Sequence, residues 1–558
     1  MESNRVEGSR SKIPTWIALW IGVQALVCAI VFGRFVATKG LPYTLDSWSL
    51  YELSQSIDHH FYEVSSFRDL SSRTAETPPV SRSFPPVIPV LTAGIDRVTH
   101  SPVSLVLQAL LGTVVLIGGV GKLLRISAIP QGGTSWGLAT IIVLSNPWYV
   151  KEMLSGASVA WAGAAFVWAL IAASRDTLPG RWLIAGALLG LTYLSRSDSL
   201  LPCLLTVALL AAYLPGFNSS SEGDESATKP PSKLLPFVQM SVALALVVLP
   251  YALFQFKNFG SPVSNENVVV MKAASNLYIT EYHPNGVPTM STDKGHFLGK
   301  VVKNSAHLVE SAINVVLTSA FVLIPLIALR KVEDRKAMTP LSSGEAKMVR
   351  ALNLGLIAQL GLILGIVLTG YNRERYLIMP QMLAAILTVI HLSRFRIKLS
   401  PPTIAALLAA GLVSTGLVAS YAVKVVTNNS VYIPGGKVDH ASDELAAYLQ
   451  KNYTGTPVLL EWKPVKPGAK DLSDNDFADR EFVYFQAIVA ALKGVKTVIM
   501  PMNGSLLPPS EVRELAQQYG VTHVLYAGTD RPQVPGLEIG PVEYRVGPYE
   551  LAKVESPK

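Results

Sequence analysis

The chain has 558 residues; half are hydrophobic and 15% are charged, against about 25% charged in an ordinary soluble protein. Mean hydropathy is +0.36 and the formal charge is +8. Long apolar runs separated by short charged joints exclude a disordered, collagenous, coiled-coil or disulfide-stapled chain and point to a protein threaded through a bilayer. Cys28 and Cys203 both lie inside apolar runs and read as small buried hydrophobes, not as a disulfide or metal pair. The charge is uneven. From Val426 onward 13 Lys and Arg stand against 16 Asp and Glu, which leaves +11 on the residues before them. A basic membrane part suits anionic lipids and phosphate-bearing ligands. The positive residues form no single stripe, so nucleic acid is not expected as a partner.

In chain order, about eleven apolar segments are long enough, or nearly so, to span hydrocarbon. They run over 13–36, 103–124, 134–149, 155–174, 181–195, 199–215, 236–256, 309–330, 350–370, 376–393 and 402–424. Asn146-Pro147 and Leu201-Pro202 are expected to kink or break their helices. With the N-terminus in the cytoplasm, the basic joints at Lys122, Arg125, Arg175, Arg181, 330–350 and 394–398 fall inside, as the positive-inside rule requires. The acidic linker at 216–235 is the exception. The loops at 37–102 and 258–305 and the segment after Val426 are then extracytoplasmic. Residues 1–425 are expected to form the membrane part of a plasma (inner) membrane protein. Residues 426–558, where helical and strand patterns alternate, are expected to form a small external α/β domain. The predicted helices there are 443–451, 482–492 and 510–519, and the predicted strands 457–461, 495–500 and 521–526.

Polar residues near the external interface are the candidates for chemistry. Asp46 follows the first span by about ten residues and opens the run Trp48, Leu50, Tyr51, Leu53, which suits a helix lying in the interface. By spacing alone Asp46-Ser47 reads first as a helix cap; the alternative is a carboxylate facing a cleft between bilayer and external domain. Asp58, His59, His60 and Glu63 form a polar knot that could hold a divalent cation, with a wetted surface as the plain alternative. Ser83-Phe84-Pro85-Pro86 leads into a second expected interfacial helix over 91–98 through a rigid turn. Arg196 and Asp198 share one short joint, Arg373 and Arg375 another, and Lys272 lies in the large loop. Such arginines anchor to lipid headgroups or clamp a phosphate.

These stretches carry a resemblance. The chain resembles the GT-C superfamily of polytopic glycosyltransferases, in the bacterial branch similar to protein mannosyltransferases and aminoarabinose transferases. YTLDSWSLYELSQSI resembles the first juxtamembrane helix of that group and SFPPVIPVLTAGIDRV the proline-led second. LLGLTYLSRSDSLLP, NFGSPVSNENVVVMKAA and the Arg375-Tyr376-Leu377 helix entry resemble recurring segments of its later spans. The resemblance implies a mainly α, polytopic bundle and an inverting transfer of sugar from a polyprenyl-phosphate donor to a glycan, lipid or protein acceptor at the external face. It implies Asp46 as the catalytic aspartate. Arg375, Arg373, Arg196, Asp198, Lys272, Glu52, Tyr278 and His283 are candidates for binding substrate. A divalent metal at Asp58, His59 and Glu63 is allowed but not required. Many relatives have Asp-Glu where this chain has Asp46-Ser47, so the acidic partner would be Glu52, Asp58 or Glu63, or none. The competing readings are a transporter or flippase for a lipid-linked or anionic solute, and a non-catalytic membrane assembly protein. No repeated halves are evident, and few charges lie deep within the spans, which disfavours an ion-coupled path.

Overall fold

The computed structural model is mainly helical. It describes residues 45–58, 84–126, 133–144, 146–215, 233–259, 341–369, 376–393 and, with short breaks, 509–555; strands at 66–67, 277–282, 288–292, 458–461 and 496–499; and a few helical positions within 22–33, 302–309 and 444–452. The helices are α1 (Leu45–Ser56), α2 (Val87–Thr99), α3 (Val103–Leu124), α4 (Gly133–Leu144), α5 (Pro147–Leu154), α6 (Val159–Ser174), α7 (Arg181–Ser195), α8 (Leu200–Tyr213), α9 (Leu234–Phe259), α10 (Ser343–Thr369), α11 (Ile378–Ser393) and α12 (Pro509–Gln518). The strands are β1 (Ser66–Phe67), β2 (Leu277–Tyr282), β3 (Pro288–Thr292), β4 (Val458–Glu461), β5 (Lys496–Ile499), β6 (His523–Ala527), β7 (Glu538–Val546) and β8 (Tyr549–Glu555).

The apolar runs read from the sequence become these helices. Val103–Leu124 and Arg181–Ser195 coincide with the predicted segments, because Lys122, Arg125, Arg181 and Arg196 stop the apolar runs where the helices end. Val103–Leu124 and Leu234–Asn258 are each long and apolar enough to cross a membrane. Residues 148–154 and 159–174 meet that test as one pair bent by 114°. The predicted spans at 309–330 and 402–424, most of 13–36 and the helix at 482–492 lie outside the described residues.

The break at Asn146-Pro147 is present and has a local cause. Pro147 takes the first position of α5, where no intrahelical N–H is needed. The Asn146 side chain accepts from the backbone N–H groups of Trp148 and Tyr149 at 3.0 and 3.2 Å. Its Nδ2 donates to Gln381 Oε1 on α11 at 2.8 Å, and the Tyr149 hydroxyl bonds that of Thr113 on α3 at 2.8 Å. The expected kink at Leu201-Pro202 is not one. Pro202 falls in the first turn of α8, after a 3-10 turn over Ser197–Ser199, so it starts a helix instead of bending one.

Small residues let the helices approach closely. A Cβ added at Gly186 would lie 2.2 Å from the Met240 carbonyl oxygen of α9, and one at Gly190 would lie 2.9 Å from Val247. With lipid on the outside, helix association rests on such packing more than on hydrophobic burial. On the outer side of α9, Leu246, Leu249, Leu253 and Phe256 are exposed, an apolar face suited to lipid.

The C-terminal residues build a sheet of strand order β1-β5-β4-β6-β8-β7. β5, β4 and β6 run parallel, and β8 and β7 close one side antiparallel. β4, β5, β6 and α12 match elements expected from the sequence. At the other edge, Ser66 and Phe67 of the first loop pair in parallel with Thr497 and Val498, so that loop contributes a strand to the sheet.

Replacing Gly186 by Leu is expected to separate α7 from α9 and destabilise the protein by about 1–3 kcal/mol, the usual cost of overpacking. The thermal unfolding midpoint in detergent, compared with that of the wild type, measures it.

Candidate active site

α1 and α2 lie together against the end of the bundle where α3 begins and α7 ends. Leu50 packs with Ile88 of α2 and Leu105 of α3. Leu53 packs with Tyr193 and Leu194 at the end of α7 and with Tyr251 of α9. Asp46 is the second residue of α1. Leu50 and Leu53, which meet the bundle, stand four and seven residues on from it. Glu52 lies between those two contact residues in the chain.

Ser47, next to Asp46, is buried, and its hydroxyl donates to the backbone carbonyl of Ser155 at 2.5 Å. Ser155 sits in the break between α5 and α6, where carbonyls lose their helical partners. The adjoining Gly156 has φ +73°, and a Cβ there would lie 2.7 Å from Leu105 Cβ. Gln108 Nε2 of α3 donates to the Gly156 carbonyl at 2.9 Å. The bend after α5 thus forms a polar seat under the start of α1. Ser47 is thus a buried tether between α1 and that bend.

Asp96 of α2 holds the middle of α1. It accepts from the Tyr51 hydroxyl at 3.4 Å and from Gln55 Nε2 at 2.9 Å. The same carboxylate accepts from the Ser101 backbone N–H at 2.9 Å, closing the turn from α2 into α3. His100 in that turn is left-handed, with φ 47°. Burial, reinforced by the Asp96 charge and hydrogen bond, pushes the Tyr51 phenol well above its ordinary pKa, so it stays a proton donor to Asp96 across the working pH range. Arg97 pairs with Asp58 just beyond the end of α1. Further along, the Tyr251 hydroxyl of α9 donates to the Phe84 carbonyl at 3.3 Å, fixing the proline-led entry to α2.

Arg196 ends α7 in extended conformation. Its Nε donates to both Asp198 oxygens, at 2.7 and 2.9 Å. The guanidinium lies 5.2 Å from the centre of the Tyr376 ring, a cation–π contact. Tyr376 directly follows Arg375 in the chain. The joint before α8 and the entry to α11, both read from the sequence as candidate phosphate-binding positions, therefore meet at the end of the bundle that holds α1.

Tyr278 is a β2 residue paired with Ser291 in the β2–β3 hairpin. Lys272, His283, Arg373, Arg375, His59 and Glu63 lie outside the described residues. Asp58, a candidate metal ligand, is engaged with Arg97. Among the described residues, no group of three or more His, Cys, Asp and Glu side chains comes together as a metal site. Sequence reading passed over Asp96, Ser155 and Gly156. A carboxylate inside an otherwise apolar interfacial helix was the available signal for Asp96; the seat at Ser155 and Gly156 depends on a bend with no local marker of its partner.

No protein-family model and no curated protein sequence matches the chain. Solved structures do. ArnT from Cupriavidus metallidurans bound to undecaprenyl phosphate superposes with a TM-score of 0.56 at 11% identity, covering 97% of this chain and 98% of that one. The same protein in the apo state gives 0.52 at 12% identity with the same coverage. The archaeal oligosaccharyltransferase AglB from Archaeoglobus fulgidus, in complex with an inhibitory peptide and a dolichol-phosphate, gives 0.46 at 13% identity, covering 91% of this chain and 69% of that one. The chain shares the fold of ArnT over nearly its whole length, and its helices include ones long and apolar enough to cross a membrane.

Proposed function

We propose that the protein is an inverting glycosyltransferase that moves a sugar from a polyprenyl-phosphate donor to an acceptor hydroxyl on the external side of the membrane. The observation that carries this reading is the convergence on α1. The helix bearing Asp46 packs through Leu53 on Tyr193 and Leu194, immediately before Arg196, whose guanidinium lies over Tyr376 beside Arg375. The likeness to a structure holding undecaprenyl phosphate supports the donor class.

In this mechanism the acceptor oxygen attacks the anomeric carbon from the face opposite the phosphate. The carbon–oxygen bond to the phosphate breaks, and the polyprenyl phosphate departs with the bonding electrons. Asp46 takes the acceptor's proton as general base. The leaving group is already an anion and needs charge stabilisation rather than protonation. Arg375 is assigned that task, with Arg196 beside it. Asp198 holds the Arg196 fork in place, which fixes the direction of the cation while reducing its net charge. Arg373 and Lys272 are further candidates for the phosphate. Glu52, Tyr278 and His283 are candidates for sugar hydroxyls. The tail of the carrier stays in lipid, so the headgroup reaches a site at the membrane surface without leaving the bilayer. The acceptor arrives from the external side, where the C-terminal sheet is placed in this reading.

Asp46→Asn is expected to lower turnover by about 10²–10⁴-fold with donor affinity unchanged; near-normal turnover of purified, reconstituted protein with polyprenyl-phosphate sugars removes Asp46 as the base. For Arg375→Ala, and more weakly Arg196→Ala, donor binding falls roughly tenfold and transfer slows. Unchanged affinity and rate exclude the clamp. Ser47→Ala is expected to speed amide hydrogen exchange in residues 45–50 and to lower kcat about tenfold without raising the donor KM, because it loosens the helix rather than the donor site.

A further inference from the structure

About 30 Å along α3 from the candidate site, the other end of the bundle carries three cations. Lys122 lies in the last turn of α3, Arg125 directly after it, and Arg175 directly after α6. α3 and α6 pack in parallel, Gly112 beside Trp161 and Gly119 beside Val167 and Trp168, so Arg125 and Arg175 close the same end of the bundle as Lys122. Among the described residues, none of the three has a carboxylate partner. The nearest acid in the chain, Asp176, is engaged by Arg181 and Lys347. Three like charges brought together unneutralised make a place for an anion.

The surface leading to them is shaped for a chain. Leu111, Val114, Val115 and Gly118 form an outward stripe on α3 at helical spacing, and Lys122 continues it. Leu111, Val114 and Val115 are exposed. Trp136 of α4 lies along one side, with a Cβ at Gly118 or Gly121 only 3.6–3.7 Å from its ring. Trp168 of α6 lies along the other, donating from its indole N–H to the Val115 carbonyl at 3.1 Å. The Lys122 ammonium sits 4.9 Å from the Trp168 ring centre. Glycine at 118 keeps the floor low between two indoles, and both indoles lie near the end of the helix, where aromatic side chains favour the membrane interface.

We propose that this stripe is a binding site for an anionic phospholipid of the adjacent leaflet. Its phosphate lies among Lys122, Arg125 and Arg175, and an acyl chain runs over Gly118 between Trp136 and Trp168. The occupant is a lipid and not a soluble anion, because the cations stand at the end of a stripe of exposed apolar residues, Leu111, Val114 and Val115. The site is independent of the proposed transfer reaction, whose residues are at the far end of α3.

The test is native mass spectrometry of purified full-length protein released from mixed dioleoyl-phosphatidylglycerol and dioleoyl-phosphatidylcholine vesicles. Wild-type protein is expected to retain phosphatidylglycerol at least about fivefold over phosphatidylcholine. Lys122→Gln combined with Arg125→Gln and Arg175→Gln is expected to bring that preference below twofold. Gly118→Leu fills the groove with all charges intact and is expected to do the same. If the triple variant does not fold, by its thermal midpoint, Lys122→Gln alone and Gly118→Leu decide. A preference kept in the folded variants overturns the proposal. So does an equal loss in Arg394→Gln, Arg396→Gln and Lys398→Gln combined, which would reduce the effect to bulk charge. Displacement of phosphatidylglycerol by millimolar inorganic phosphate also overturns it, since that marks a simple anion site.

Discussion

A helix of 12 residues at the end of a bundle is too short to hold its place alone, so its position is set by what it can fasten to. α1 fastens at each part of its length. Ser47 donates to the opened carbonyl at the α5–α6 bend, Leu50 and Leu53 fill two apolar contacts with α2, α3, α7 and α9, Tyr51 and Gln55 reach Asp96, and Asp58 pairs with Arg97. The buried contacts provide most of the hold; the Asp58–Arg97 pair is well exposed and adds little. Without that fastening Asp46 would have no fixed relation to Arg196, and nothing proposed about the reaction would follow.

The same fastening explains why the bundle is irregular where it is. The α5–α6 pair bends so that the chain around Ser155 and Gly156 can serve α1 and α3 together. The bend is tolerated in a low-dielectric setting because its carbonyls at Ser155 and Gly156 are taken by the Ser47 and Gln108 side chains. The close α7–α9 contact at Gly186 and Gly190 then holds α7, whose end presents Arg196, at a fixed distance from α9, whose Tyr251 fixes the entry to α2. Core packing and site geometry are therefore one arrangement.

Much of this was legible in the sequence, and the reasons differ by element. Helix ends such as Leu124 and Ser195 could be read because charged residues cut the apolar pattern there. The Asn146-Pro147 break could be read because capping and proline geometry are local. Pro202 misled, since a proline in a first turn and one in mid-helix look alike until the preceding turn at Ser197–Ser199 is known. The helix at Leu45–Ser56 and the proline-led second came from residue order and resemblance, as did the roles proposed for Arg196 and Arg375. The tether at Ser47, the role of Asp96 and the Asp58–Arg97 pair did not, because each joins residues at least 39 positions apart with nothing local to mark the partner. The pairing of Ser66 and Phe67 with Thr497 and Val498 is the extreme case: two residues carry no strand pattern, and their partner is over 400 positions away.

The most direct test of the central claim is a structure of the protein with a polyprenyl phosphate bound in lipid. The account predicts the phosphate at the α1 end of the bundle, within hydrogen-bond reach of Arg375 or Arg196, with Asp46 opening onto the same cavity. A phosphate seated at the Lys122 end, or an Asp46 carboxylate closed off from the cavity by protein, would contradict it.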